Sequence, residues 1–194
     1  MRRLLIVLTA LVLATAAHAE SRLFIGIGAN MIRPADPNYR SIYGNQAIYP
    51  ELSASVRLVK GLCLTGSWGR FAKNGKTPDL GLDARAVQSY ISAGLSYMVR
   101  VSRLLCLEAG GGIAGMSYRE EALDSWIKGQ WRGLKAEGGL LILPEGERIF
   151  MGLRFGYLSA RVHDLDPRLT GPQPIRLGGA RIAVVVGIQL FGQD

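Results

Sequence analysis

The sequence predicts an all-β protein, an eight-stranded antiparallel up-and-down transmembrane β-barrel. Three observations carry that expectation. Apolar residues recur at every second position along the chain, the connections between those segments alternate long and short, and the other strand parity is built of small residues. Strict alternation gives a pleated strand one apolar face and one of different character.

The N-terminal "MRRLLIVLTALVLATAAHAE" has Arg2 and Arg3, then an apolar run, then Ala17-His18-Ala19. That is the layout of a secretory signal with a small-x-small cleavage site. The run is short for a spanning helix, which needs about 20 apolar residues. Residues 1–19 are expected to be a cleaved signal peptide and 20–194 one barrel domain, leaving His163 as the single mature histidine. No later apolar run suits a helical span, so insertion in a membrane would be by strands. The chain carries 23 Lys and Arg against 15 Asp and Glu, net charge +8, without a clustered basic run or aromatic-interleaved basic motif. With export, this excludes nucleic acid as an expected partner. Cys63 and Cys106 lie in no CxxC and beside no His cluster, so neither a metal nor a cofactor is expected.

The strand candidates, in order, are 22–32, 51–59, 62–71, 86–101, 104–118, 130–143, 149–162 and 177–191. Most reach the roughly 9–11 residues that a tilted strand needs to cross a bilayer. Lys60-Gly61, Ser102-Arg103 and "PEGE" (144–147) are short connections, whereas 33–50, 72–85, 119–129 and 163–176 are long. A meander with tight turns at one end and long loops at the other matches a transmembrane barrel. Every proline (Pro34, Pro37, Pro50, Pro78, Pro144, Pro167, Pro172, Pro174) falls in these expected connections, as a closed β-ladder requires.

Two barrels produce such alternation: a lipocalin-like carrier with its apolar face inward, or a membrane barrel with that face outward. The second parity decides. In strand 1 it is Phe24, Gly26, Gly28 and Asn30, and in strand 2 Ser53, Ser55 and Arg57. Small residues suit a crowded eight-strand lumen better than a water-facing sheet. Arg57, Arg100, Glu108, Lys135, Glu137, Arg154 and Arg181 then point inward, where Glu108 and Glu137 with the arginines would form a structural charge network plugging the lumen. A selectivity ring of a narrow, porin-like pore is the alternative. Because cations outnumber these acids, some arginines are expected to reach the rims. Trp68, Trp131 and Tyr157 at the long-loop ends, and Tyr97 and Phe191 at the short-turn ends, are candidates for aromatic girdles. Cys63 and Cys106 fall inward with one strand between them, so their Cα atoms should be roughly 9–10 Å apart. That predicts two reduced thiols rather than a bridge.

Catalytic signals are sparse. His163 has Asp164, Asp166 and Ser159 nearby, but the His-x-Ser pattern of lipid A deacylases is absent, with Leu165 at the serine position. Asp164 and Asp166 lack the further ligands of a calcium loop. Tyr39, Tyr43 and Tyr49 in loop 33–50 are candidate surface-loop recognition residues, or alternatively a lid packed over the barrel mouth.

With its signal, alternating strands and glycine-dotted faces, the chain resembles the outer-membrane β-barrel domain group, which includes small OmpA- and OmpX-type barrels. The resemblance implies a bacterial, Gram-negative outer-membrane location, a monomer, insertion by the barrel assembly machinery and contact with outer-membrane lipid. Gly187 and Leu190-Phe191 partly match the group's closing-strand signal, but "GQD" follows. The expected function is that of a non-enzymatic barrel whose long surface loops serve envelope integrity or external interaction. The alternatives are a lipid A-modifying enzyme and a soluble lipocalin-like periplasmic carrier.

Overall fold

The computed structural model describes residues 22–77, 81–122, 125–144, 147–161 and 176–190. The expected signal peptide, His163 with Asp164 and Asp166, Phe191 and the "GQD" ending lie outside the described residues. Eight strands, β1 (Leu23–Pro34), β2 (Ala47–Val59), β3 (Leu62–Lys76), β4 (Asp83–Arg100), β5 (Leu105–Ala122), β6 (Ser125–Ile142), β7 (Ile149–Arg161) and β8 (Arg176–Leu190), form a closed barrel in sequence order. β8 pairs antiparallel with β1 from Leu23↔Leu190 to Pro34↔Gly179, which closes the ring. One short helix, α1 (Pro37–Tyr43), interrupts the β1–β2 connection.

The barrel is lopsided. β4, β5 and β6 have 18 residues each, whereas β1 has 12 and β2 and β7 have 13. Segments expected as loops are strands: β3 runs on to Lys76, β4 begins at Asp83, and β5 and β6 pair as far as Ala122↔Ser125. Their apolar periodicity breaks at polar residues such as Lys73, Asn74, Arg85, Glu120 and Glu121, while the hydrogen-bonded ladder continues. The expectation that all prolines lie in connections also needs correction. Pro34 ends β1, and Pro50 lies within β2 opposite Ala29. Ala47–Pro50 pair with β1 alone, because β2–β3 pairing begins at Glu51↔Gly69, and a one-sided stretch tolerates a missing donor.

Side-chain directions follow the expected parity. Ile27, Trp68, Ile91, Ile113, Leu134, Phe155 and Val184 stand on the outer surface, with Ile27 67% and Leu134 68% exposed. Phe24, Ser53, Ser67, Gln88, Glu108, Arg154 and Arg181 are buried inside. The apolar parity therefore faces outward, opposite to the arrangement of a soluble carrier. A belt of that size exposed to water would be an aggregation surface, and it suits a hydrocarbon surround.

Turns and close approaches use glycine where no other residue fits. Gly61 adopts φ +89° in the β2–β3 turn, where its carbonyl accepts Met98 N at 2.7 Å. Between β4 and β5, a Cβ on Gly112 would lie 2.2 Å from the Ala93 oxygen, and one on Gly94 2.3 Å from that of Gly111. The two strands meet there without side chains between them.

Candidate functional site: the lumen and its lid

The interior fills in three layers. At the short-turn end, Phe24, Cys63, Met98, Cys106, Leu141 and Phe150 form an apolar cluster, with Phe24 and Phe150 edge to face at 5.9 Å. At the other end a larger cluster includes Ile32, Tyr49, Phe71, Tyr90, Met116, Tyr118 and Leu158. Charged groups occupy the level between them.

Arg181 of β8 organises the first ionic group. Its Nη1 donates to the Glu51 carboxylate and to Tyr90 Oη at 2.7 Å, and its Nη2 donates to Glu137 at 2.5 Å. Tyr90 in turn donates to Glu51. Lys135 Nζ lies 2.9 Å from Glu137 and donates to Ser67 Oγ at 2.8 Å; Ser67 also meets Ser92 at 2.7 Å. The second group is Arg154 of β7, which holds Glu108 at 3.0 Å and Ser53 Oγ at 3.2 Å. Ser96 Oγ gives Glu108 a further hydrogen bond at 3.1 Å. Buried charges persist only when paired and hydrogen-bonded, and each of these is.

Glu51 is the residue missed from the sequence. It shares the inward parity of Ser53, Ser55 and Arg57, but it follows Pro50 at what read as the end of a loop. Its inclusion changes the charge balance. Arg181 and Lys135 face Glu51 and Glu137, and Arg154 faces Glu108, so the mid-lumen groups are matched. The remaining two expected members lie away from this level. Arg57 is half-buried at the short-turn end, with its guanidinium 6.0 Å from the Phe24 ring, and Arg100 is exposed at the end of β4. Cys63 and Cys106 are buried free thiols in the lower cluster. Among the described residues no cluster of His, Cys, Asp and Glu suits a metal.

The tyrosines of the first long connection do not present themselves to an external partner. Tyr39, Tyr43 and Tyr49 are only 5%, 4% and 2% exposed, which corrects the recognition reading and leaves the lid. Local chemistry builds that lid. Asp36 caps α1, accepting Asn38 N at 2.9 Å and Tyr39 N at 3.1 Å; Pro37 supplies a preset first turn, and Gly44 at φ +86° ends the helix. The other oxygen of Asp36 accepts Arg176 N at 3.0 Å, and Ala35 N reaches Gly178 O at 2.9 Å, so the helix is tied to β8. Across the mouth, Tyr43 Oη donates to Glu120 at 2.5 Å, and Tyr118 donates to the other oxygen of the same carboxylate at 2.5 Å. Burial, followed by the adjacent Glu120 charge, raises the Tyr39 phenol above its usual range. Burial and the Glu120 hydrogen bond do the same for Tyr43.

Of the expected girdle aromatics, Trp68, Tyr97 and Tyr157 are on the outer surface. Trp131 is not: it is half-buried and packs on the upper lumen cluster, because its position shares the inward parity of Lys135 and Glu137.

No protein-family model and no curated protein matches the sequence. Solved structures match in fold. OprG, an outer-membrane protein of Pseudomonas aeruginosa, superposes with a TM-score of 0.66 at 13% identity, over 89% of this chain and 97% of that one. Ail of Yersinia pestis, in complex with the heparin analogue sucrose octasulfate, gives 0.59 at 14% identity over 89% and 100%. Neisserial surface protein A gives 0.57 at 11% identity over 89% and 98%. What is common at these identities is the architecture: the chain has the closed eight-stranded barrel fold that these outer-membrane proteins share.

Proposed function

We propose that the protein is an integral outer-membrane barrel, non-enzymatic, that acts through its outer wall and the loop end of the barrel rather than through its lumen. The observation that carries this is the filled interior beneath an outer apolar belt. A conducting or substrate-holding barrel needs unfilled polar space, whereas here paired side chains and two apolar clusters occupy the described lumen. Its role is then to reinforce the envelope, or to contact lipids and external partners at the cell surface, as a monomer inserted by the barrel assembly machinery. Cell fractionation with gel mobility before and after boiling tests the placement. A membrane-fraction band that shifts on boiling is expected, and a soluble band without a shift rejects it. Single-channel recording in planar bilayers should show no steady conductance. An unchanged lipid A profile in cells expressing the His163→Ala variant, compared with wild type, is expected of a non-enzymatic barrel.

A further inference from the structure

Outside the lumen, the wall formed by β3, β4, β5 and β6 carries a second group of arginines on the lipid-facing parity. Its geometry follows from the strand register. Trp68, Ile91 and Gly115 stand in one outward row that continues to Arg132 of β6. The next row toward the loop end runs Arg70, Ser89, Ser117, Gln130, and the row beyond it places Arg119 opposite Val87. Ser89 and Ser117 join their hydroxyls at 2.6 Å across the β4–β5 ladder. Arg70 is directly across from Ser89, about 5 Å between Cβ atoms. Arg119 lies two residues along β5 from Ser117, about 7 Å away. Arg132 stands opposite Gly115, which leaves its side free. Three arginine positions thus border a pair of hydroxyls where the apolar belt ends.

Arg70 and Arg132 are exposed and have no ion-pair partner among the described residues, and Arg119 meets only the exposed Glu121 at 4.0 Å. Immediately toward the membrane from Arg132, the same wall is hollowed by an apolar groove of about 550 Å³. Ile113, Leu134, Ala136 and Tyr157 line it, and Gly112 contributes no side chain. A cationic, hydroxyl-lined patch above an apolar groove is complementary to one kind of molecule: an anionic phosphate headgroup with attached acyl chains. Guanidinium pairs with phosphate in a bidentate fork, and the serine pair, one of whose hydrogens is spent between the two hydroxyls, adds one further donor. The wall of β8, β1 and β2 differs among the described residues: its exposed loop-end positions include Ile48, Pro50 and Ala180, with Arg33 and Arg176 but no outward serine pair beside them.

We propose that the outer wall of β3–β6 is a binding site for a phosphorylated, multiply acylated lipid of the outer leaflet. Its phosphate lies among Arg70, Arg119, Arg132 and the Ser89–Ser117 pair, and an acyl chain lies in the groove beside Leu134. The inference rests on the outer-membrane placement proposed above. The test uses the full-length mature protein, folded in detergent, with purified lipid A as probe and native mass spectrometry as readout. Combined Arg70→Gln, Arg119→Gln and Arg132→Gln should weaken lipid A binding about tenfold or more, since charge-assisted contacts are lost. Dephosphorylated lipid A should bind wild type with a similar deficit and be indifferent to the triple substitution. Ala136→Phe, which fills the groove, should also weaken binding, while Arg33→Gln on the other wall should not. Each variant is first checked for the boiling-dependent mobility shift of a folded barrel. Wild-type binding by the folded triple variant or by Ala136→Phe overturns the proposal, as does an equal loss in Arg33→Gln. If wild type itself is soluble and shows no shift, the outer-membrane placement fails instead.

Discussion

Arg181, inside the barrel, touches two carboxylates and a phenol, while Arg70, on the outside of β3, has no ion-pair partner among the described residues. Both stand on strands of the same sheet, and only parity separates them. A cation in the lumen has lost its water and must be matched by protein groups, so its identity is fixed by its neighbours. A cation on the outer wall, above the apolar belt, keeps its water and remains available to a ligand. The contrast divides the basic residues of this chain into those that hold the fold and those that can bind something.

The sharpest way to break that division is to remove Arg181. Arg181→Met would leave Glu51 and Glu137 buried, with Tyr90 and Lys135 as their remaining partners. Breaking a buried pair costs about 3–5 kcal/mol. Urea unfolding of the refolded barrel should therefore shift to clearly lower denaturant. Arg154→Met should act in the same direction, because it strands Glu108 with Ser96 alone. A stability equal to wild type for both would mean that water or alternative partners carry these carboxylates, and that lumen and wall do not differ as argued.

That lumen was partly legible in the sequence, and the reasons for the gaps are physical. Alternation along the strands identified the inward faces, because one parity of each strand is apolar and stands on the outer surface. It therefore placed Glu108, Lys135, Glu137, Arg154 and Arg181 inside. Beyond the apolar belt, polar residues such as Lys73, Asn74, Arg85, Glu120 and Glu121 interrupt the alternation, so the signal that marks a strand fades while the strands continue to Lys76, Ala122 and Ser125. Glu51 was obscured for a related reason: Pro50 suggested a loop, although only the β1 side of that stretch is paired. Trp131 shows the limit of residue type as a guide. An aromatic near a strand end suits the headgroup level equally well as a lumen cover, and only register separates the two. The pairing of particular charges, such as Arg181 with both Glu51 and Glu137, depends on barrel shear and could not be read from one strand at a time.

The lid is a smaller version of the same contrast, since Glu120 is part-covered and held by two phenols. Tyr43→Phe removes one hydrogen bond and should loosen the lid by about 1 kcal/mol without unfolding the barrel. Hydrogen exchange in 36–44 should rise while that in β5 stays protected. A pH effect accompanies it. A free tyrosine ionises near pH 10, whereas docking holds Tyr39 and Tyr43 neutral to higher pH. Closure is therefore fully present below about pH 10 and weakens as pH climbs through the raised values, because only the undocked phenols gain from ionising. Protease susceptibility of the 36–46 segment, followed against pH, should begin to rise in that alkaline range. An onset near neutrality would contradict it.

The smallest expected effect is the most informative about the wall. Arg70→Gln and Arg132→Gln remove a full charge each, the same change in charge as Arg181→Met. Neither leaves a buried carboxylate behind, because no described acid faces them. Exposed substitutions of this kind alter stability by about 0.5 kcal/mol or less, so the unfolding midpoint should stay where wild type has it. A loss approaching that of Arg181→Met would place these arginines in a structural network with the residues of the rim. A midpoint that is unchanged in detergent but lower in vesicles containing phosphorylated lipid would sharpen the comparison, since the stabilisation then comes from a ligand that binds the folded wall.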